Sequence, residues 1–107
     1  MSFKIVPTPA FVRELKKLAK KHISLKEDLK VLIVDLTKDP KAGTSLGNNC
    51  YKIRLAITSK NKGKSGGARI ITYVHVINET VYLLSIYDKS DLDNISDSEL
   101  ISRIKDL

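Results

Sequence analysis

The sequence predicts one α+β domain in the order β-α-α-β-β-β-α, with an antiparallel sheet packed against a helical hairpin, and three features carry that expectation. Two segments of helical apolar period lie side by side between Pro9 and Pro40, each opened by an N-cap signature. Three segments with strand character follow between Tyr51 and Tyr87. A further capping signature at Ser96 precedes a short apolar run at the end of the chain. The span of 107 residues, 42% of them hydrophobic, fits a single domain over 1–107. Such a chain can bury enough surface to fold without disulfides or a structural metal.

Taken in order, Phe3 and Ile5 belong to a short first strand that Pro7 and Pro9 end. Thr8-Pro9 reads as an N-cap followed by proline in the first helical position, where its missing N–H costs nothing. Phe11, Leu15, Leu18, Ala19 and His22 then repeat at helical spacing, while Arg13, Lys16, Lys17, Lys20 and Lys21 occupy mostly the other face, which predicts a helix over 9–22. Ser24-Leu-Lys-Glu27 is a capping-box pattern for a second helix, whose apolar positions Leu25, Leu29, Leu32, Ile33 and Leu36 run up to Asp39-Pro40. The short gap between the two predicts an antiparallel pair. Lys41 to Asn49 reads as a Gly/Asn-rich connection. Tyr51 to Leu55 alternates apolar and basic residues, which sends Lys52 and Arg54 out of the same face of a strand. Arg69–Ile77 and Thr80–Tyr87 are two further strands joined by a tight turn at Asn78-Glu79. Ser96-Asp-Ser-Glu99 opens the last helix. Helices gathered on one side would leave the other sheet face partly open.

The net charge is +7, and its location says more than its size. From Pro40 to Asn78, 39 residues pass without an Asp or Glu, while Lys41, Lys52, Arg54, Lys60, Lys62, Lys64 and Arg69 lie inside that stretch. Elsewhere twelve basic residues meet twelve acidic ones. A solvated face that keeps the protein soluble is the plain alternative. A phosphate-rich partner explains the segregation better, because Lys and Arg attract polyanions and release their counterions. Cys50 is the only cysteine, so neither an intramolecular disulfide nor a cysteine-based zinc site is available. The start of the chain lacks the apolar run of a signal peptide and no segment reaches transmembrane length, so a cytoplasmic protein without membrane contact is expected.

Three separated strings agree in order and spacing with one known family: Cys50-Tyr-Lys-Ile-Arg-Leu55, then Ser59-Lys-Asn-Lys-Gly-Lys-Ser-Gly-Gly-Ala-Arg-Ile-Ile-Thr-Tyr73, then Leu83-Leu-Ser-Ile-Tyr-Asp-Lys-Ser-Asp91. The chain resembles the RelE/HigB toxins of bacterial type II toxin–antitoxin systems, most sharply the HigB-like branch with its Lys-Gly-Lys loop between strands. The resemblance covers the C-terminal strands closely and the helical hairpin by topology. It implies a RelE-like fold and a ribosome-dependent mRNA endoribonuclease that needs no metal or other cofactor. It also implies a cognate antitoxin, typically a helix-turn-helix repressor in this branch.

In such a reaction the RNA's own 2′-hydroxyl attacks the phosphorus. The protein then needs a proton acceptor, cations for the charged phosphorane and a proton for the departing 5′ oxygen. The resemblance assigns these roles to Lys52, Arg54, Arg69 and Lys89, with Lys52 as proton acceptor and Arg69 as the phosphate-stabilising arginine. Tyr87, two residues from Lys89 and on its face if the strand persists, is placed by strand period as a base-stacking or proton-donating candidate, with ordinary packing as the alternative. A lysine with an ordinary pKa of about 10.4 is a poor base unless neighbouring positive charge depresses it. Lys60, Lys62 and Lys64 are expected RNA-binding residues, and a mobile charged loop is the alternative for them. Many relatives place an aromatic or basic residue after the last strand for proton transfer, but here no Tyr or His follows Asp91. Tyr87, Lys89 and Arg103 are therefore the candidate acids, in that order. His22, His75 and Cys50 read as structural. A ParE-like inhibitor of DNA gyrase, which shares the fold and cleaves nothing, has no evident use for the paired strand cations. A non-catalytic RNA-binding module would need more aromatic residues than the 6% present.

Overall fold

The structure is a computed structural model that describes residues 2–60, 63, 66–92 and 94–107. After β1 (Lys4–Pro7), Thr8 caps α1 (Pro9–Lys21), its Oγ1 accepting from the Phe11 N–H at 3.3 Å. The same hydroxyl donates to Leu83 O at 2.9 Å, so one side chain caps the helix and fastens it to the sheet. α2 spans Leu25–Lys38. Its start departs from the expected capping box: Ser24 has helical backbone angles and its hydroxyl makes no cap bond. Ser24 Oγ instead donates to Asp28 and accepts the Ser59 N–H at 2.8 Å, tying α2 to the turn at Thr58–Lys60.

Four more strands follow: β2 (Thr44–Gly47), β3 (Cys50–Leu55), β4 (Ala68–His75) and β5 (Thr80–Asp88), then α3 (Asp97–Lys105) with the expected Ser96 cap. The sheet order is β1-β5-β4-β3-β2. Two features differ from the expected antiparallel sheet. β1 runs parallel to β5, pairing Lys4 with Thr80 and Pro7 with Leu83. The supposed connection 41–49 contributes β2 as an exposed edge strand against β3. Its side chains have no buried face, so no alternation marks it; backbone pairing alone holds it. Asn48 and Asn49 take positive φ at the β2–β3 turn, a conformation Asn tolerates better than most residues. β4 stops at His75, two residues short of expectation, because residues 76–79 form a longer turn in which His75 Nδ1 accepts the Asn78 N–H.

Both faces of the central strands are buried, which is why β4 and β5 read as nearly continuous apolar runs. On one face Phe11, Leu18, Leu25, Leu29 and Leu36 of the helical hairpin pack on Ile53, Ile70, Val74, Val81 and Leu83. On the other, Leu100 and Ile104 of α3, with Ile95 before it, cover Cys50, Ile71, Leu84 and Tyr87. The face expected to be partly open is thus largely closed, since Leu100 and Ile104 give α3 an apolar stripe of its own.

Candidate active site

The antiparallel register of the three central strands sets Arg54 opposite Arg69 and Arg69 opposite Tyr87. Residues directly opposite each other share a sheet face with Cβ atoms about 4.5–5.5 Å apart. Two guanidiniums and a phenol therefore form one row about 10 Å long across β3, β4 and β5. Lys52 lies one step along β3, on the same face and opposite Ile71. Gly67 helps hold this register: a Cβ there would collide with Leu55 O, so only glycine lets β4 begin so close to the end of β3.

The four side chains differ in exposure. Arg54 is exposed and Lys52 half-buried, its ammonium donating to Asn94 Oδ1 at 2.9 Å. Arg69 is 2% exposed and Tyr87 7%. Arg69 Nη1 donates to the neighbouring Ala68 O at 3.1 Å, and Tyr87 packs with Leu100 and Ile95. Before α3, Asn94 thus sits on Lys52 and Ile95 packs against the cluster that includes Tyr87. Lys89 is exposed in the turn after β5. Because the strand ends at Asp88, strand alternation does not place Lys89 on the face of Tyr87. Arg103 is committed elsewhere: it forms a two-pronged pair with Glu14 at 2.9 Å and donates to Leu84 O at 2.7 Å. The Glu14 hydrogen bonds raise its pKa above the ordinary arginine value despite burial.

Asp88 is the residue that reading the sequence missed. It is 4% exposed, yet its carboxylate accepts from Lys60 Nζ at 3.0 and 3.1 Å and from the Ser90 N–H and Oγ, and it shares a hydrogen bond of 3.0 Å with His22 Nε2. Burial alone would raise its pKa, but the bonds from Ser90 and Lys60 and the charge of Lys60 hold it down at about 2. An acid beside Tyr87 was visible in the sequence; its burial was not. Lys60, expected on RNA, is turned inward to anchor the loop base, and Lys62 and Lys64 lie outside the described residues. His22 serves the same anchor, and His75 and Cys50 are structural, with burial pushing the Cys50 thiol up. Among the described residues no group of three or more His, Cys, Asp or Glu side chains could hold a metal ion.

The depressed carboxyl fixes the sign of an acid effect. Asp88 is more acidic folded than unfolded, so its contribution is complete above about pH 4 and fades as pH falls toward about 2. It amounts to roughly 2 kcal/mol. Denaturant titrations across that range should show the loss in the parent and not in Asp88→Asn. Lys60→Ala should lower stability at neutral pH by about 1–3 kcal/mol through the stranded carboxylate. An exposed lysine would change it by less than about 0.5 kcal/mol.

The family model described as the RelE toxin of the RelE/RelB toxin–antitoxin system matches residues 9–105. Among solved structures, a mutant of Escherichia coli toxin RelE in the free state aligns with a TM-score of 0.67 at 21% identity, covering 100% of this chain and 99% of that one. The toxin in the intact E. coli RelBE toxin–antitoxin complex aligns at 0.63 with 23% identity over 81% of this chain and 96% of its own. The Mycobacterium tuberculosis toxin–antitoxin complex RelBE2 gives 0.59 at 18% identity, with 85% and 95% covered. Similarity at these identities establishes a shared fold.

Proposed function

This chain belongs to the RelE toxin family, and from that premise we propose that it is the toxin of a type II toxin–antitoxin pair and acts as a ribosome-dependent, metal-independent mRNA endoribonuclease. The observation that carries the reading is the row Arg54–Arg69–Tyr87 with Lys52 one step away. Three cations and a phenol on one face match what cleavage by the neighbouring 2′-hydroxyl requires. Lys52 takes the 2′ proton while the 2′ oxygen bonds to phosphorus. Arg54 and Arg69 offset the charge on the phosphorane, the arginine forks suiting paired phosphate oxygens. The bond to the 5′ oxygen breaks as Tyr87 or Lys89 supplies its proton, leaving a 2′,3′-cyclic phosphate and a 5′-hydroxyl.

When RNA binds, a phosphate oxygen takes the place of Asn94 on Lys52. Lys62 and Lys64 are proposed to grip RNA on the adjoining loop, with Lys60 setting its base. The toxin works in the cytoplasm, and no described helix is long and apolar enough to cross a membrane. A cognate antitoxin holds it inactive, as the E. coli and M. tuberculosis relatives crystallised with their antitoxins support; the helix-turn-helix type is proposed from the resemblance alone.

Primer extension on mRNA after brief expression tests this reading. Discrete new ends inside translated frames are expected. Intact mRNA accompanied by double-strand DNA breaks would assign the chain to gyrase poisoning instead.

A further inference from the structure

α1 carries five cations, Arg13, Lys16, Lys17, Lys20 and Lys21, all exposed, and a single acid, Glu14. The structure engages that acid elsewhere: Glu14, at the margin of their face, is held by Arg103 and the Ile86 N–H. Among the described residues none of the five has an ion-pair partner. They fall within roughly 140° of the helix circumference, and those four residues apart are about 6 Å apart along the axis. Arg13–Lys17, Lys16–Lys20 and Lys17–Lys21 are all like-charge neighbours, an arrangement that weakens a helix. The helix dipole favours Lys20 and Lys21 in the last turn but disfavours Arg13 near the first. Folding therefore does not account for this face.

We propose that the outer face of α1 is a second RNA-binding surface, which holds the phosphate backbone of a structured RNA while the sheet face holds the strand to be cut. The spacing suits successive phosphates along one strand. Leu15, Leu18 and Ala19 fall off this face, so no apolar residue interrupts its cations, whereas the buried centre of a protein interface is depleted in lysine and rich in aromatic groups. A lipid surface would need an apolar face to insert, and Phe11 and Leu18 are already in the core. Lys17 and Lys21 also border a groove between α1 and the end of β5 that carries the acids Glu14, Asp88 and Asp91. The proposed surface is therefore the outer face of the helix, separate from the candidate active site, since α1 packs on the opposite side of the sheet.

The proposal rests on the reading above only in taking RNA as the partner, and it is tested by binding rather than cleavage. The probes are a synthetic hairpin RNA and purified ribosomes, titrated across a range of salt. The triple variant Arg13→Gln, Lys16→Gln, Lys20→Gln should bind both about tenfold or more weakly, with the salt slope lower by about two. Its melting temperature should be equal or higher, because like charges have been removed. An equal charge loss elsewhere (Lys26→Gln, Lys30→Gln, Lys105→Gln) should change the slope far less. The proposal is overturned if the α1 variant keeps the parent's slope, if the control variant loses as much, or if the only loss is in affinity for the antitoxin. A chain that shows the expected binding loss yet cuts no mRNA sinks the nuclease reading and leaves this surface standing.

Discussion

Lys52→Ala and Arg54→Ala should each slow single-turnover cleavage of ribosome-bound mRNA by about two to four orders of magnitude, the range typical of acid–base and charge-stabilising groups. The two residues share a strand face two positions apart, so they sit about 6–7 Å from each other along β3 and can flank one phosphodiester. Their structural commitments are slight. Arg54 is exposed, and Lys52 gives up one bond to the exposed Asn94. Stability should therefore change by less than about 0.5 kcal/mol, and lost activity cannot be charged to unfolding. Arg54→Lys should recover only part of the rate, because an ammonium keeps the charge and loses the planar fork. If both alanine variants stay fully toxic in cells at equal expression, the row is not the cleavage site.

The leaving 5′ oxygen gives the second large effect. Tyr87→Phe removes one hydroxyl and keeps the ring against Leu100 and Ile95, so packing should survive. We expect a tenfold to thousandfold loss of single-turnover cleavage with ribosome affinity unchanged. Lys89, exposed and beyond the strand end, is the competing donor, and in that case Tyr87→Phe is nearly silent while Lys89→Ala is severe. A substrate whose 5′ leaving oxygen is replaced by sulfur separates the roles. A thiolate departs without a proton, so a variant lacking the acid recovers on it, and a variant lacking only a stabilising charge does not. If neither variant recovers, neither side chain is the acid.

The sequence announced the helical hairpin, the strand with Lys52 and Arg54 and the cap at Ser96 because each leaves a periodic or capping signal within one segment. The opposition of Arg54, Arg69 and Tyr87 was implicit, since it needs only antiparallel pairing of neighbouring strands in the right register. β2 was not legible, because an exposed edge strand leaves no side-chain pattern. Nor was the pairing of β1 with β5, which depends on contacts 76 residues apart in sequence. The inward turn of Lys60 shows the same limit. A lysine in a glycine-rich loop reads as mobile and RNA-facing, and only the three-dimensional structure places a buried carboxylate 3.0 Å from its ammonium. Asp88 itself follows an apolar strand and looks like an ordinary strand end until Lys60, His22 and Ser90 converge on it.

The central claim is that these side chains drive attack by the RNA's own 2′-hydroxyl. Once the cut in a translated mRNA has been mapped, the nucleotide on its 5′ side can be replaced by its 2′-deoxy form and the ribosome-bound message exposed to the purified protein in single-turnover conditions. No cleavage at that position, with the all-RNA control yielding a 2′,3′-cyclic phosphate and a 5′-hydroxyl, is the expected result. Cleavage of the deoxy message at the parent rate would contradict the account.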